Sequence, residues 1–431
     1  MVPPPDQIQY LIKQLDSQSL PVHSSLSEEE LSIQHFFAEE VDLKMIERQD
    51  GSFAPIPVQQ PSEEIRFEAF LDGVQRTVLR WRFPLPGGAL VPIHIAHIAA
   101  GVLLRTVDGR LFTEPDLIAS RLLLLAPFQG LKEAGAKLDI PVNDPIWDVG
   151  PQTFSFPQDL NEWILCDTTF RSTQKDRETR FRDNNAITGN MLFDEGLIRS
   201  RAQGRAATLR QRLEFAILAR FRGIHPDKWI LVDGPLFFID KWSAQAAEAL
   251  RGELNREDGI FEDSLLAKAV GLIKSQRLRP KHPEHVMQIG VSERSPVALL
   301  SKEVDIKGSR ETPDEVGNYS GLHLTWYTRL RGRNEPPYGF MGLIRLDIHR
   351  STLPSVRRAD ALNQDNFREF TPLVDAITHA VWRERWPSFK RIDDYKTAAE
   401  PYPIQQIERL LKSVTLPRRL LAHITDFQHL Y

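Results

Sequence analysis

The sequence predicts a mixed α/β protein built around one large sheet flanked by helices. Short apolar runs rich in β-branched residues gather in two meanders, over residues 67–105 and 322–349. Helical periodicities fill the interval between the meanders and the stretch after them. No fixed period of repetition is visible, which excludes a solenoid. A chain of 431 residues suffices for one large domain or two to three ordinary ones, and 41% hydrophobic residues with 9% aromatics supply a core.

Composition also bounds function. Charged residues make up 26% of the chain and nearly cancel, leaving a formal net charge of −4. Bulk charge therefore does not hold this protein on nucleic acid, and any polyanion site must be local. Cys166 is the only cysteine, which excludes an intrachain disulfide and a cysteine-based zinc site and fits a reducing compartment. The stretch MVPPPDQIQYLIKQL has no basic region followed by an apolar core, and no run approaches the roughly 18 apolar residues that span a bilayer. A soluble, cytoplasmic protein with no membrane partner is expected.

Taken in order, residues 8–15 and 27–47 read as N-terminal helix, with Ser27-Glu28-Glu29-Glu30 as a start signal. Residues 49–63 are a polar, proline-bearing connector, so an N-terminal helical segment (1–63) precedes the main domain (64–431). FEAFLDG (67–73) is an apolar run tipped by Asp72, with Gly73 permitting a turn. Residues 74–83 then form a second strand, Pro84 to Gly88 a turn and 90–105 the return strand. Asp108-Gly109 is a hairpin loop. Residues 114–135 have helix-like spacing, 138–160 are proline-broken loop and 163–167 an edge strand.

Residues 168–222 read as helical and conspicuously basic. Two readings stand: a solvated face balanced by acids, or a local phosphate-tracking surface. Within them LRQRLEFAILARF (209–221) is an amphipathic helix with Leu213, Ala216, Ile217 and Phe221 on one face and Glu214 at its edge. A short link leads to WILVDGPL (229–236), a buried strand that delivers Asp233 to the rim of the sheet. A helix over 243–256 follows, then AVGLI (269–273), which ends on Lys274. LHLTWYTRLR (322–331) and YGFMGLIRLDIH (338–349) pair as a hairpin, and helices over 370–386 and 403–414 close the chain.

No GxxxxGK[ST], HExxH, GxSxG or Gly-rich dinucleotide pattern occurs. His94 and His97 in HIAH would fall on opposite faces of a strand, a poor metal pair. The acids remain. Asp72, Asp233 and Glu214 are hard oxygen donors of the kind that Mg²⁺ or Mn²⁺ prefers. Like charges about 4 Å apart repel by roughly 4 kcal/mol at an effective dielectric near 20, and a divalent ion turns that repulsion into attraction. Such an ion can activate water and stabilise the leaving oxygen of a phosphodiester, while Lys274 nearby would neutralise a phosphate.

The succession of an FLDG strand, a glutamate-bearing helix, ILVDGPL, GLIKS, the WYTRLR hairpin and a late Pro-Tyr-Pro stretch resembles the NurA nuclease family over roughly residues 67–412. The resemblance implies a ribonuclease-H-like mixed sheet, Mn²⁺- or Mg²⁺-dependent cleavage of DNA with 5′-to-3′ exonuclease and single-strand endonuclease activity, and a homodimer. It also implies docking on a HerA-type hexameric ATPase and a role in DNA end processing or defence against foreign DNA. Asp72, Glu214 and Asp233 match the metal ligands and Lys274 the basic residue after the next strand. Glu408 stands where the family pattern has a histidine and is the expected fourth ligand. Arg205, Arg212, Lys274, Arg277 and Arg329 are the expected DNA contacts. A long gap between Asp72 and Glu214 places an inserted subdomain within residues 87–205. The replaced histidine and the lack of an ATP site motivate an alternative: a weak or inactive dimeric adaptor that regulates a HerA-like translocase.

Overall fold

Two strands of sixteen residues each form the spine of the sheet in the computed structural model. It describes residues 6–21, 39–41, 43–48, 53–139, 161–169, 186–236, 265–274, 278–280, 283–300, 323–331, 341–353, 367–385 and 399–422. In chain order the strands of the main path are β1 (Leu43–Met45), β2 (Ala69–Pro84), β3 (Leu90–Arg105), β4 (Ile118–Ala126), β5 (Asn161–Asp167), β6 (Ile230–Asp233), β7 (Ala269–Ile273), β8 (Ala298–Leu300), β9 (His323–Arg329) and β10 (Leu343–His349). Across the sheet they lie in the order β1-β8-β9-β10-β7-β6-β2-β3-β4-β5. The main helices are α1 (Asp6–Gln18), α2 (Glu195–Ile224), α3 (Thr371–Arg383) and α4 (Tyr402–Val414). The protein is thus mixed α/β, with a large mixed sheet flanked by helices. Among the described residues, no helix is long and apolar enough to cross a membrane.

At the centre, β2, β3 and β4 form an antiparallel meander. Strand β6 then runs parallel to β2, and β7 parallel to β6. The β9–β10 hairpin continues the sheet antiparallel to β7. Alternation along β2 sorts its side chains between two cores. Ala69 and Leu71 pack with Leu213, Ile217 and Phe221 of α2. Phe70 and Val74 turn to the other face, against Ile377 of α3 and Ile404, Ile407 and Leu411 of α4. At the far end of the hairpin, Trp81 and Phe83 pack with Leu11 and Leu15 of α1, and the Trp81 indole donates to Asp16 at 2.7 Å.

Three expectations give way to the structure. Gly73 does not turn the chain: β2 runs straight through it, pairing Asp72 with Gly101 and Gly73 with Ala100, so residues 67–83 hold one long strand instead of two. Residues 118–126 are a strand, not part of a helix, because IASRLLLLA is covered on both faces and both edges and so shows no alternation. Glu39–Val41 and Leu43–Met45 are strands where helix was expected. Strand β1 pairs with β8, and Ile56–Pro57 pairs with Glu293–Arg294, so the N-terminal segment is woven into the sheet. The helix expected over 243–256 and most of the proline-broken loop lie outside the described residues.

Candidate active site

Strand β6 is short, and its end opens the sheet. Its register against β2 pairs Val232 with Leu71, so Asp233, the next residue, stands beside Asp72 on the adjacent parallel strand. Both belong to the face that carries Phe70, Leu231 and Leu272, and Lys274 continues that face just past β7. Gly234 then leaves the strand at φ 118°, a conformation that favours glycine, and donates its N–H to Leu272 at 2.8 Å.

Glu214 comes from α2 on the opposite face. An ideal Cβ on Gly73 would lie 2.0 Å from Glu214 Oε1 and 2.7 Å from its carboxyl carbon. Glycine at this position is what lets the carboxylate lie against the strand, next to Asp72. Helix α2 is fixed at its start by Asp194, which accepts from Leu197 N–H at 2.8 Å. We expect Gly73→Ala to displace Glu214 and lower stability by roughly 1–3 kcal/mol, read from the urea unfolding midpoint. An unchanged midpoint would show that the glutamate can move away freely.

The charges at this rim are interlocked. Lys274 Nζ lies 2.9 Å from Asp233 Oδ2 and 3.0 Å from Glu400 Oε1. Arg210, one turn before Glu214, forms an ion pair with it and donates to the Gly73 carbonyl at 3.1 Å. Asp72 is buried, and its Oδ1 accepts from Gly73 N–H at 2.7 Å. Burial, then the Asp233 charge, then Glu214 push the Asp72 carboxyl well above its ordinary range, against the pull of Lys274 and Arg210. Burial and Asp233 push Glu214 up to about 7 despite Arg210. Burial opposes the charge on Lys274, but Asp233, Glu400 and Asp72 outweigh it and hold the ammonium above its usual value. Four carboxylates thus face two cations. When all are ionised, the excess is the charge that one divalent cation would neutralise.

The structure therefore brings Asp72, Glu214, Asp233 and Lys274 together. Glu408 lies elsewhere: on α4 it pairs with Lys412 at 2.5 Å. The carboxylate that reaches Lys274 is Glu400, just before α4, with Gln405 Nε2 at 3.4 Å from its other oxygen. Sequence reasoning missed Glu400, Arg210 and the role of Gly73. Only Arg210 left a signal, the i, i+4 spacing to Glu214.

The expected DNA contacts need correction. Arg329 is fully buried, and its guanidinium donates to the backbone carbonyls of Ile289, Met341 and Met287, so it clamps the fold and offers nothing to a ligand. Arg205 and Arg212 are also buried, and the Arg205 charge acts on Asp167. Arg222, on the same helix, donates to Leu265 O and Lys228 O. Much of the basic character of α2 is thus turned inward. Arg277 lies outside the described residues.

As a test of metal fit, the donors are hard oxygens suited to Mg²⁺ or Mn²⁺. Their placement is a different matter: among the described residues, no group of three His, Cys, Asp or Glu is arranged to hold an ion. Lys274 and Arg210 lie against the carboxylates instead. No protein-family model matches the sequence, and no curated protein matches it.

Proposed function

We propose that this rim is the catalytic centre of a metal-dependent DNA nuclease. The observation that supports it is the convergence, on one open end of a sheet, of Asp72 and Asp233 from parallel strands, Glu214 from the helix behind and Lys274 beside them. The central order, an antiparallel triplet followed by two parallel strands, favours a ribonuclease-H-like reading of the sheet. A bound Mn²⁺ or Mg²⁺ would supply an activated water and stabilise the leaving oxygen. Asp72, Asp233 and Glu214 are the hard-oxygen donors at this rim, and to hold the ion their carboxylates would have to turn from Lys274 and Arg210, against which they now lie. Lys274 would exchange Asp233 for a phosphate oxygen and place its charge on the substrate. By resemblance, the proposal extends to a homodimer acting with a HerA-type hexameric ATPase in DNA end processing or defence.

A second reading has its own observation. Lys274 and Arg210 already neutralise part of the cluster, no three ligands are arranged for an ion among the described residues, and Arg205, Arg212 and Arg222 of α2 are buried. These features suit an adaptor that regulates the ATPase without cutting. Labelled single- and double-stranded DNA incubated with Mn²⁺, Mg²⁺, Ca²⁺ or EDTA, with and without the ATPase, separates the two. The nuclease reading expects Mn²⁺- or Mg²⁺-dependent degradation that EDTA abolishes. No cleavage under any ion, together with co-elution with the ATPase, would establish the adaptor.

A further inference from the structure

Lys274 stands between two carboxylates that are held very differently. Its ammonium lies 2.9 Å from Asp233 Oδ2 and 3.0 Å from Glu400 Oε1, and 28% of the lysine side chain is exposed, so a ligand at the rim can reach it. Asp233 is the last residue of β6, and Gly234 leaves the strand directly after it. Glu400 is pinned on a tied backbone. Its neighbour Pro401 forms a bridge with Arg385, and Tyr402 N–H donates to Glu384 O at 2.7 Å. The Glu384 carboxylate is in turn gripped by Arg105, Nη1 to Oε1 at 2.7 Å and Nη2 to Oε2 at 2.5 Å. Glu400 is thus fastened through the end of α3 to the end of β3.

Beside Glu400 an acceptor stands empty-handed. Gln405 Nε2 lies 3.4 Å from Glu400 Oε2, while Gln405 Oε1 is buried without a hydrogen-bond partner. Turning the carboxamide over would only set its oxygen against the carboxylate. A buried acceptor left unpaired is costly, and a lysine ammonium, with three donors, can serve Glu400 and this oxygen together. Asp233 offers no comparable rest for the lysine once a cation binds there. An ion on Asp233 would stand a few ångströms from the ammonium, and like charges that close repel strongly. The rim therefore admits a divalent cation only when Lys274 leaves Asp233.

We propose that Lys274 is the resident cation of this rim and that Glu400, with Gln405, is its second seat. Lys274 withdraws from Asp233 onto Glu400 when a divalent cation enters, which makes Glu400 a positioning residue that sets how tightly the ion is held. The proposal rests on the nuclease reading for the identity of that ion. It accounts for the lack, among the described residues, of three ligands arranged for an ion: the carboxylates are set around the chain's own ammonium. Held by Glu400, the ammonium stays at the rim, within reach of a substrate phosphate.

Mn²⁺ binding without DNA tests this, read from the paramagnetic resonance signal of free Mn²⁺ as the full-length protein is titrated. Wild type is compared with Glu400→Gln, Lys274→Met and the double variant, and urea midpoints verify each fold. Lys274→Met should bind Mn²⁺ at least about tenfold tighter than wild type, because the competing charge is gone. Glu400→Gln should bind about tenfold weaker in the wild-type background but less than about threefold weaker beside Lys274→Met, a coupling that a direct ligand would not show. The double variant removes one charge of each sign. It carries the test if Lys274→Met alone does not fold, since it should bind more tightly than Glu400→Gln. Equal weakening by Glu400→Gln in both backgrounds overturns the proposal and makes Glu400 a ligand. A wild type that cuts DNA with Mn²⁺, with no tightening when Lys274 is replaced, sinks the proposal and spares the nuclease reading. Tightening in a protein that cuts no DNA leaves the second seat standing and removes the nuclease. Absence of Mn²⁺ binding in all four proteins removes both.

Discussion

Asp72→Asn is expected to cut Mn²⁺-dependent DNA cleavage by on the order of 10³-fold, the loss typical of removing one centre of charge stabilisation from an active site. The same change is expected to make the protein more stable. Asn keeps the shape and can still accept from Gly73 N–H through its carbonyl oxygen. It removes a buried charge that burial, Asp233 and Glu214 all disfavour. Relief of such repulsion is worth roughly 1–3 kcal/mol at neutral pH.

The pH dependence follows from the direction of the shift. Folded Asp72 holds its proton to higher pH than the unfolded chain does, so ionisation costs stability as pH rises through the folded value. The advantage of Asn should therefore be largest at neutral pH and vanish as pH falls toward the ordinary carboxylate range. Adding Mn²⁺ should raise the wild-type melting temperature more than that of the variant. A purely structural carboxylate would behave oppositely, losing stability on substitution and showing no metal dependence. Thermal melts over a pH series, with and without the ion, distinguish the two outcomes.

What could be read beforehand depended on whether local pattern and tertiary context agreed. WILVDGPL announced both its strand and its glycine turn, because β-branched residues and Gly234 at positive φ are local requirements. The β9–β10 hairpin was equally plain, with residues 323–329 pairing in register against 343–349. Gly73 misled because a glycine after an aspartate reads as a turn, whereas here its missing side chain makes room for a helix on the other face. The leucines of β4 carried no period because neighbours cover them on all sides. Buried arginines were the least legible feature. Arg329 is satisfied by backbone carbonyls 12 to 42 residues away, and nothing in WYTRLR reports those partners. Glu400 was hidden for the same reason: its partner Lys274 is 126 residues distant.

Arg294 carries the largest expected effect on stability. It is fully buried, and its fork grips Glu47 with Nη1 to Oε2 at 2.7 Å and Nη2 to Oε1 at 2.8 Å, while Nε reaches Asp375 at 2.7 Å. Glu47 also accepts from Val297 N–H at 2.9 Å, and Asp375 from Gln59 N–H at 3.1 Å. One guanidinium thus fastens the N-terminal segment to the strand region and to α3. Arg294→Ala leaves two buried carboxylates without their cation, a change that costs about 3–5 kcal/mol. Arg294→Lys keeps the charge but cannot make the two-pronged contact, so an intermediate loss is expected. A double-mutant cycle with Glu47→Gln should return a coupling of roughly 2 kcal/mol or more. If Arg294→Ala shifts the unfolding free energy by less than about 1 kcal/mol, the network does not hold the segment in place. Residues 43–63 could then be removed without loosening the sheet, whereas β1 and the Ile56–Pro57 strand, both paired into it, argue that their removal would expose the edges of β8 and Glu293–Arg294.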